Sequence, residues 1–220
     1  MTKPAALQIQ PHTAQIEALR EVGRLFYSRG WSLGTSSNYS VVVGRAPLQL
    51  LITASGRDKG RLGTTDFTVV DGEGQQVDAN SPRPSAETLL HAALAKRPGV
   101  GAVLHTHSVP ATVLSDAHFG SGALEIAGYE MLKGLAGVTT HDTRITIPIL
   151  DNTQDMAAMA KTVGLRFGGQ AAAAGHAFLV RGHGLYTWGR DLDEARRHVE
   201  ILEFLFEVLI ARARYVPAPS

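Results

Sequence analysis

Val100-Gly101-Ala102-Val103-Leu104-His105-Thr106-His107 is an apolar run that ends in two histidines one residue apart. In an extended strand, side chains two apart lie on one face, so both imidazoles can converge on a single divalent ion where the strand ends. The chain has nine histidines, so a lone His-x-His pair proves little. Its weight rests on a third ligand, a base and a place for substrate elsewhere in the sequence.

Working outward from this strand, Ser85-Ala86-Glu87 opens a helix whose apolar positions include Leu89, Leu90, Ala93 and Leu94, with its stop near Pro98-Gly99. Farther upstream, β-rich runs at 39–43, 48–53 and 67–70 are separated by glycine-containing turns, the pattern of an antiparallel meander. A helix over 13–29 precedes them, with Ile16, Leu19, Val22 and Phe26 on one face and Gly30 at its stop. Downstream, Ser108-Val109-Pro110 enters a short helix, where proline is tolerated in the first turn. Residues 144–150 alternate into a half-buried strand, and Pro148 places that strand at an edge or near a bulge. A helix over 153–167 follows, with Thr153 as its cap and Asp155 in its first turn. The strand 177–181 runs into Gly182-His183-Gly184, and Asp191-Leu192-Asp193-Glu194 resembles a capping box. The long helix it opens carries the stripe Leu192, Ala195, Val199, Leu202, Phe206 and Leu209. Helices outside a largely antiparallel sheet make one three-layer α/β/α domain over about 11–215, with short flexible ends at 1–10 and 216–220.

Composition narrows the function classes. At 220 residues, 44% hydrophobic and 19% charged, the chain suits one globular core. A net charge of +1 offers no global basic field for nucleic acid or a membrane surface. Cysteine is absent, which excludes disulfides, thiolate zinc sites and a cysteine nucleophile. Neither a signal-peptide core nor an apolar run of membrane-spanning length is present, so the expectation is a cytoplasmic protein.

His183 stands between two glycines just after an apolar strand, which lets the backbone turn sharply and leaves the imidazole unobstructed. His105, His107 and His183 would give three neutral nitrogen ligands, the number that leaves an open, catalytic position on zinc. A single buried histidine is more often merely hydrogen-bonded in a core. Two histidine-bearing strand ends in one chain reverse that balance. Glu87, in the first turn of its helix, is the candidate acid/base beside such a metal, although the helix dipole alone also favours a carboxylate there. Three loops suit an anionic substrate: Gly34-Thr35-Ser36-Ser37-Asn38, Ala54-Ser55-Gly56-Arg57-Asp58-Lys59-Gly60, and the helix start at Ser85. No loop carries a phosphate-loop or dinucleotide fingerprint.

As an ordered set, the segments 34–40, 53–56, 85–87, 105–107 and 181–184 resemble the motifs of the class II aldolase family, over about 17–209 of the chain. The runs 55–60 and 129–134 are similar to those of its methionine-salvage branch. That resemblance implies one zinc ion per subunit, a phosphorylated sugar substrate and a homotetramer, with residues 129–140 reaching a neighbour's site. It implies dehydration of 5-methylthioribulose 1-phosphate to 2,3-diketo-5-methylthiopentyl 1-phosphate, with Glu87 as proton shuttle. Thr35, Ser37, Asn38, Ser55, Gly56 and Ser85 would hold the phosphate, and Lys59 would pair with it or orient the substrate. Two departures stand out: Ser37 replaces the glycine that sugar-phosphate aldolases place before the asparagine, and Ala86 replaces a serine of some relatives. A sugar-phosphate aldolase, a pentulose-phosphate 4-epimerase and a non-enzymatic interaction module on the same scaffold remain the alternatives.

Overall fold

The computed structural model describes residues 12–167 and 175–215; the expected flexible ends, 1–10 and 216–220, lie outside them. The 13–29 periodicity is realised as α1 (Thr13–Ser28), and the chain leaves it through Gly30 at a positive φ of 77°. The meander follows as β1 (Asn38–Arg45), β2 (Leu48–Thr53) and β3 (Phe67–Asp71), each antiparallel to the next. Then come α2 (Thr88–Ala95), β4 (Ala102–Thr106), α3 (Val109–Ala117) and β5 (Ala123–Ala127). The last elements are β6 (Arg144–Leu150), α4 (Met156–Phe167), β7 (Ala177–Val180), β8 (Gly184–Gly189) and α5 (Leu192–Tyr215).

The strands form one sheet in the order β3-β2-β1-β4-β8-β7-β6-β5. The β6–β7 pair is parallel and every other pair is antiparallel, as expected of a mainly antiparallel α/β/α fold. Leu104, Ala102 and Val41 pack toward α1 and the first part of α5, while Leu179 and Leu185 meet α3 and the rest of α5. Val103, Phe178 and Trp188 pack toward α2 and α4 on the opposite face. This alternation fixes the register. Leu104 is fully buried, a burial that contributes roughly 1.5–3 kcal/mol, and a one-residue slip of β4 would trade its place with His105.

Several local expectations shift. β5 and β8 have no counterpart among the expected strands. β8 is wholly buried and central, but its Leu-Tyr-Thr-Trp run is bracketed by glycines that read as the end of the preceding strand. β6 is second from the edge rather than at it. Proline is tolerated there because β7 pairs only with Ile149 and Leu150, leaving that flank of Pro148 without a ladder partner. Asp155, not Thr153, caps α4: its carboxylate accepts from the Ala158 N–H at 2.9 Å, and Thr153 instead bonds the Asp155 N–H. α2 begins one residue later than Glu87. The α5 box forms at the expected residues, with Asp191 accepting from the Glu194 N–H, but the return bond of Glu194 goes to the Arg190 N–H, one residue before the cap, both at 2.8 Å.

Candidate metal centre

Sheet register assembles the site. Asn38 on β1 stands opposite His105 on β4, and His105 stands opposite Tyr186 on β8, so the three share one cross-strand row beneath the start of α2. His107 continues the His105 face past the end of β4. The β7–β8 turn supplies His183: Gly182 adopts a φ of 58°, and its N–H is held by the Ser115 hydroxyl at 3.0 Å. Thr112 pins the His183 carbonyl at 3.1 Å. Gly184 is required for a different reason, since a Cβ there would sit 2.0 Å from the Thr106 carbonyl oxygen. The two glycines around His183 therefore solve two problems, a left-handed turn and a close approach of backbones.

The three imidazoles meet tip to tip. His107 Nε2 lies 2.7 Å from His105 Nε2 and 3.1 Å from His183 Nε2. Glu87 Oε1 is 3.5 Å from His105 Nε2 and 3.3 Å from His183 Nε2. The ligand atoms of these four residues all fall within 4.8 Å of one another. His105 donates its Nδ1 proton to the Leu185 carbonyl at 2.9 Å, which leaves Nε2 bare and aimed at the cluster. Its ring stacks on Tyr186 at 3.9 Å and 11°. Burial pushes the His105 imidazole down, and burial with the neighbouring His105 and His183 pushes His107 to about 3. Burial works against the Glu87 charge, but the polar side chains of His105, His183 and Asn38 around it outweigh burial and hold the carboxyl well below the usual range. An ionised carboxylate and neutral imidazoles this close are donors in search of a cation. Imidazole nitrogens and a carboxylate oxygen are the donor types that zinc and other divalent ions take. The donor set fits a metal ion.

A cleft of about 110 Å³ opens beside this cluster. Thr35, Ser37, Asn38, Ser55, Gly56 and Ser85 share its wall with Glu87 and His107. Larger hollows, about 610 Å³ beside the β2–β3 edge and 450 Å³ between α2 and α4, contain none of the four donors. Lys59 is placed differently. It is buried behind the two loops, where its ammonium donates to the Arg57 carbonyl at 2.6 Å and the Thr35 carbonyl at 3.5 Å. Burial pushes it down to about 8. Arg57 pairs with Asp66 at 3.2 Å. Neither cation of that loop lines the cleft: Lys59 braces two backbone carbonyls, Arg57 is taken up by a side-chain carboxylate, and serine and threonine residues make the wall. The expected helix-end contribution is also smaller, because the N–H groups of Glu87, Thr88 and Leu89 already bond Ser85 Oγ, Ser85 O and Ala86 O. His141 lies outside the cleft, 3.4 Å from Glu130.

The sequence reading passed over two neighbours. His91, one turn after Glu87 on α2, is fully buried and bonds both Asn38 and Ser40. Its position four residues after Glu87 was the available signal. Tyr186 is buried under His105, and its hydroxyl has no hydrogen-bond partner among the described residues.

Residues 17–210 match the family model described as the class II aldolase and adducin N-terminal domain. A methylthioribulose-1-phosphate dehydratase of Marinobacter nauticus is 49% identical over 192 residues, covering 87% of this chain and 90% of the relative. The enzyme of that name from Azotobacter vinelandii is 45% identical over 201 residues, covering 90% and 95%. Among solved structures, L-fuculose-1-phosphate aldolase from Thermus thermophilus superposes with a TM-score of 0.71 at 26% identity, covering 94% of this chain and 99% of that one.

Proposed function

The chain belongs to the class II aldolase family, and from that premise we propose that it is a zinc-dependent hydro-lyase that dehydrates 5-methylthioribulose 1-phosphate in methionine salvage. The observation that carries the reading is the convergence of three imidazole nitrogens and one ionised carboxylate beside a hydroxyl-lined cleft. His105, His107 and His183 hold the metal. When bound, the ion would supply a Lewis acid that stabilises the negative charge developing beside the reacting carbon.

The residues of the chain do the rest. The C3 proton, adjacent to the C2 ketone, is taken by Glu87, whose carboxylate is ionised and oriented toward the cluster. Glu87 then passes that proton to the departing C4 hydroxyl, which leaves as water. The C3–H and C4–O bonds break, an enol remains, and its tautomerisation yields the 2,3-diketone phosphate. Hydroxyls of Thr35, Ser37, Ser55 and Ser85 and the backbone at Gly56 bind the phosphate. Asn38 holds Glu87, and Lys59 acts from behind by fixing the Thr35 and Arg57 carbonyls. The enzyme works in the cytoplasm as a homotetramer. Among the described residues no helix is long and apolar enough to cross a membrane.

Mass analysis of the products formed from 5-methylthioribulose 1-phosphate, with and without chelator, tests the assignment. The expected product is a diketone phosphate that disappears with the metal; retro-aldol fragments would replace the dehydratase by an aldolase. His107→Ala is expected to lose bound zinc, read by elemental analysis, together with diketone formation. A His107→Ala protein retaining both would overturn the ligand set.

A further inference from the structure

Glu87 has two oxygens, and the site uses them differently. Oε1 faces His105 and His183, while Oε2 accepts a hydrogen bond from Asn38 Nδ2 at 2.6 Å. Asn38 can give that bond in only one of its two amide orientations. Flipped, it would press its carbonyl oxygen against an ionised carboxylate. That orientation places Oδ1 at the other end of the amide, where the group holding it is His91: its Nε2 lies 2.7 Å from Asn38 Oδ1.

His91 is fully buried, and burial pushes its imidazole down to about 3, so it has one donor nitrogen and one acceptor. Ser40 Oγ lies 2.8 Å from Nδ1. A hydroxyl donating to Nδ1 leaves the proton on Nε2, and that N–H needs an oxygen opposite it, which is Asn38 Oδ1. The chain of donation runs Ser40 to His91 to Asn38 to Glu87. The fold supplies each member: Asn38 and Ser40 are two apart on β1 and share a face, while Glu87 and His91 are four apart at the start of α2 and share a helix side.

We infer that His91 is a positioning residue, which through Asn38 fixes the Glu87 carboxylate so that Oε1 is presented to the metal and the substrate. The inference rests on the proposed reading of the site as a zinc-dependent dehydratase. It goes beyond that reading by assigning the orientation of the shuttle to a residue that touches neither metal nor substrate.

His91→Phe keeps a ring and removes both hydrogen bonds; His91→Gln can restore a donor toward Asn38 and an acceptor toward Ser40. Two quantities are measured on the full-length protein: kinetics with 5-methylthioribulose 1-phosphate, and zinc affinity by competition with a chromophoric chelator. His91→Phe is expected to lower kcat and zinc affinity by about 10- to 100-fold each, with KM nearly unchanged, and His91→Gln to recover most of both. In an Asn38→Ala background, His91→Phe should add little, since the two act in series. Unchanged kcat and zinc affinity in His91→Phe, or losses that multiply with Asn38→Ala, would overturn the inference. Should His91→Phe fold poorly, Ser40→Ala leaves the ring in place and frees Nδ1; a kcat equal to wild type there counts against the relay. A wild-type protein that binds zinc without dehydrating the substrate would sink the functional reading, and the chelator competition would still judge His91.

Discussion

A carboxylate stands against each face of β4, the half-buried Glu87 just before α2 and the buried Glu203 on α5, and the two are held in opposite ways. On the side of His105 and His107, Glu87 meets three polar partners and is held ionised. On the other side, Thr106 points toward α5 and donates to Glu203 Oε1 at 3.0 Å, while Glu203 Oε2 has no partner among the described residues. Glu203 is fully buried, and burial pushes it up to about 7, offset only in part by Ser108 and Thr106. The residue type is the same, and both lie against one strand. The number of donors around each carboxylate decides whether burial produces a charged functional group or a neutral structural one.

The widest separation between the two is catalytic. Glu87→Gln keeps the shape of the side chain but cannot carry a proton between C3 and C4. It is expected to lower kcat by about 10²- to 10⁴-fold, read as diketone formation under zinc saturation. Glu203→Gln, measured in parallel, should leave kcat close to wild type. Equal losses in the two variants would erase the contrast and assign Glu203 a place in the chemistry.

The next test concerns stability, and its sign is opposite for the two faces. A carboxyl whose folded value is about 7, above the ordinary 4.5, binds its proton more tightly in the folded than in the unfolded state. Its contribution is therefore fully present below about 4.5, declines as pH rises from 4.5 to 7, and stays lost above. A glutamine is neutral throughout and keeps an oxygen for Thr106. Glu203→Gln is expected to stabilise the protein at pH 8 by on the order of 1–3 kcal/mol and to do little at pH 5, as measured by chemical denaturation. An equal gain at both pH values would mean that packing, not charge, accounts for the change.

How much of this was legible before the structure follows from how far apart the cooperating residues lie. His105 and His107 declared themselves because their spacing and the strand period act within three residues, and His183 because two glycines mark its turn. Glu87 was recognisable from its helix start. His91 was not, because its meaning depends on Asn38, 53 positions away, and on a register that only the assembled sheet defines. β8 was lost for a related reason: a fully buried strand shows no alternation to betray it. Lys59 was expected to pair with the phosphate or to orient the substrate, and its contacts with two carbonyls of the chain itself are long-range or loop-specific features that no local pattern announces.

The smallest expected effect lies next to Asn38, at the residue that departs from the family pattern. Ser37 has a φ of 72°, the left-handed conformation in which a glycine is at ease and a serine is strained. The penalty for a non-glycine residue there is about 1–2 kcal/mol. Ser37→Gly relieves it but gives the unfolded chain more freedom, which costs roughly 0.5–1 kcal/mol, and it deletes a buried hydroxyl whose bond to the Trp31 carbonyl is long at 3.5 Å. These contributions nearly cancel, so thermal stability should stay within a few tenths of a kcal/mol of wild type. Function need not follow stability. Ser37 is among the residues of the cleft wall, and removal of its hydroxyl should raise KM several-fold with kcat retained if it binds the phosphate. A fall in kcat at unchanged KM would place the effect on Asn38 instead, showing that the strained serine serves to hold the amide that holds Glu87.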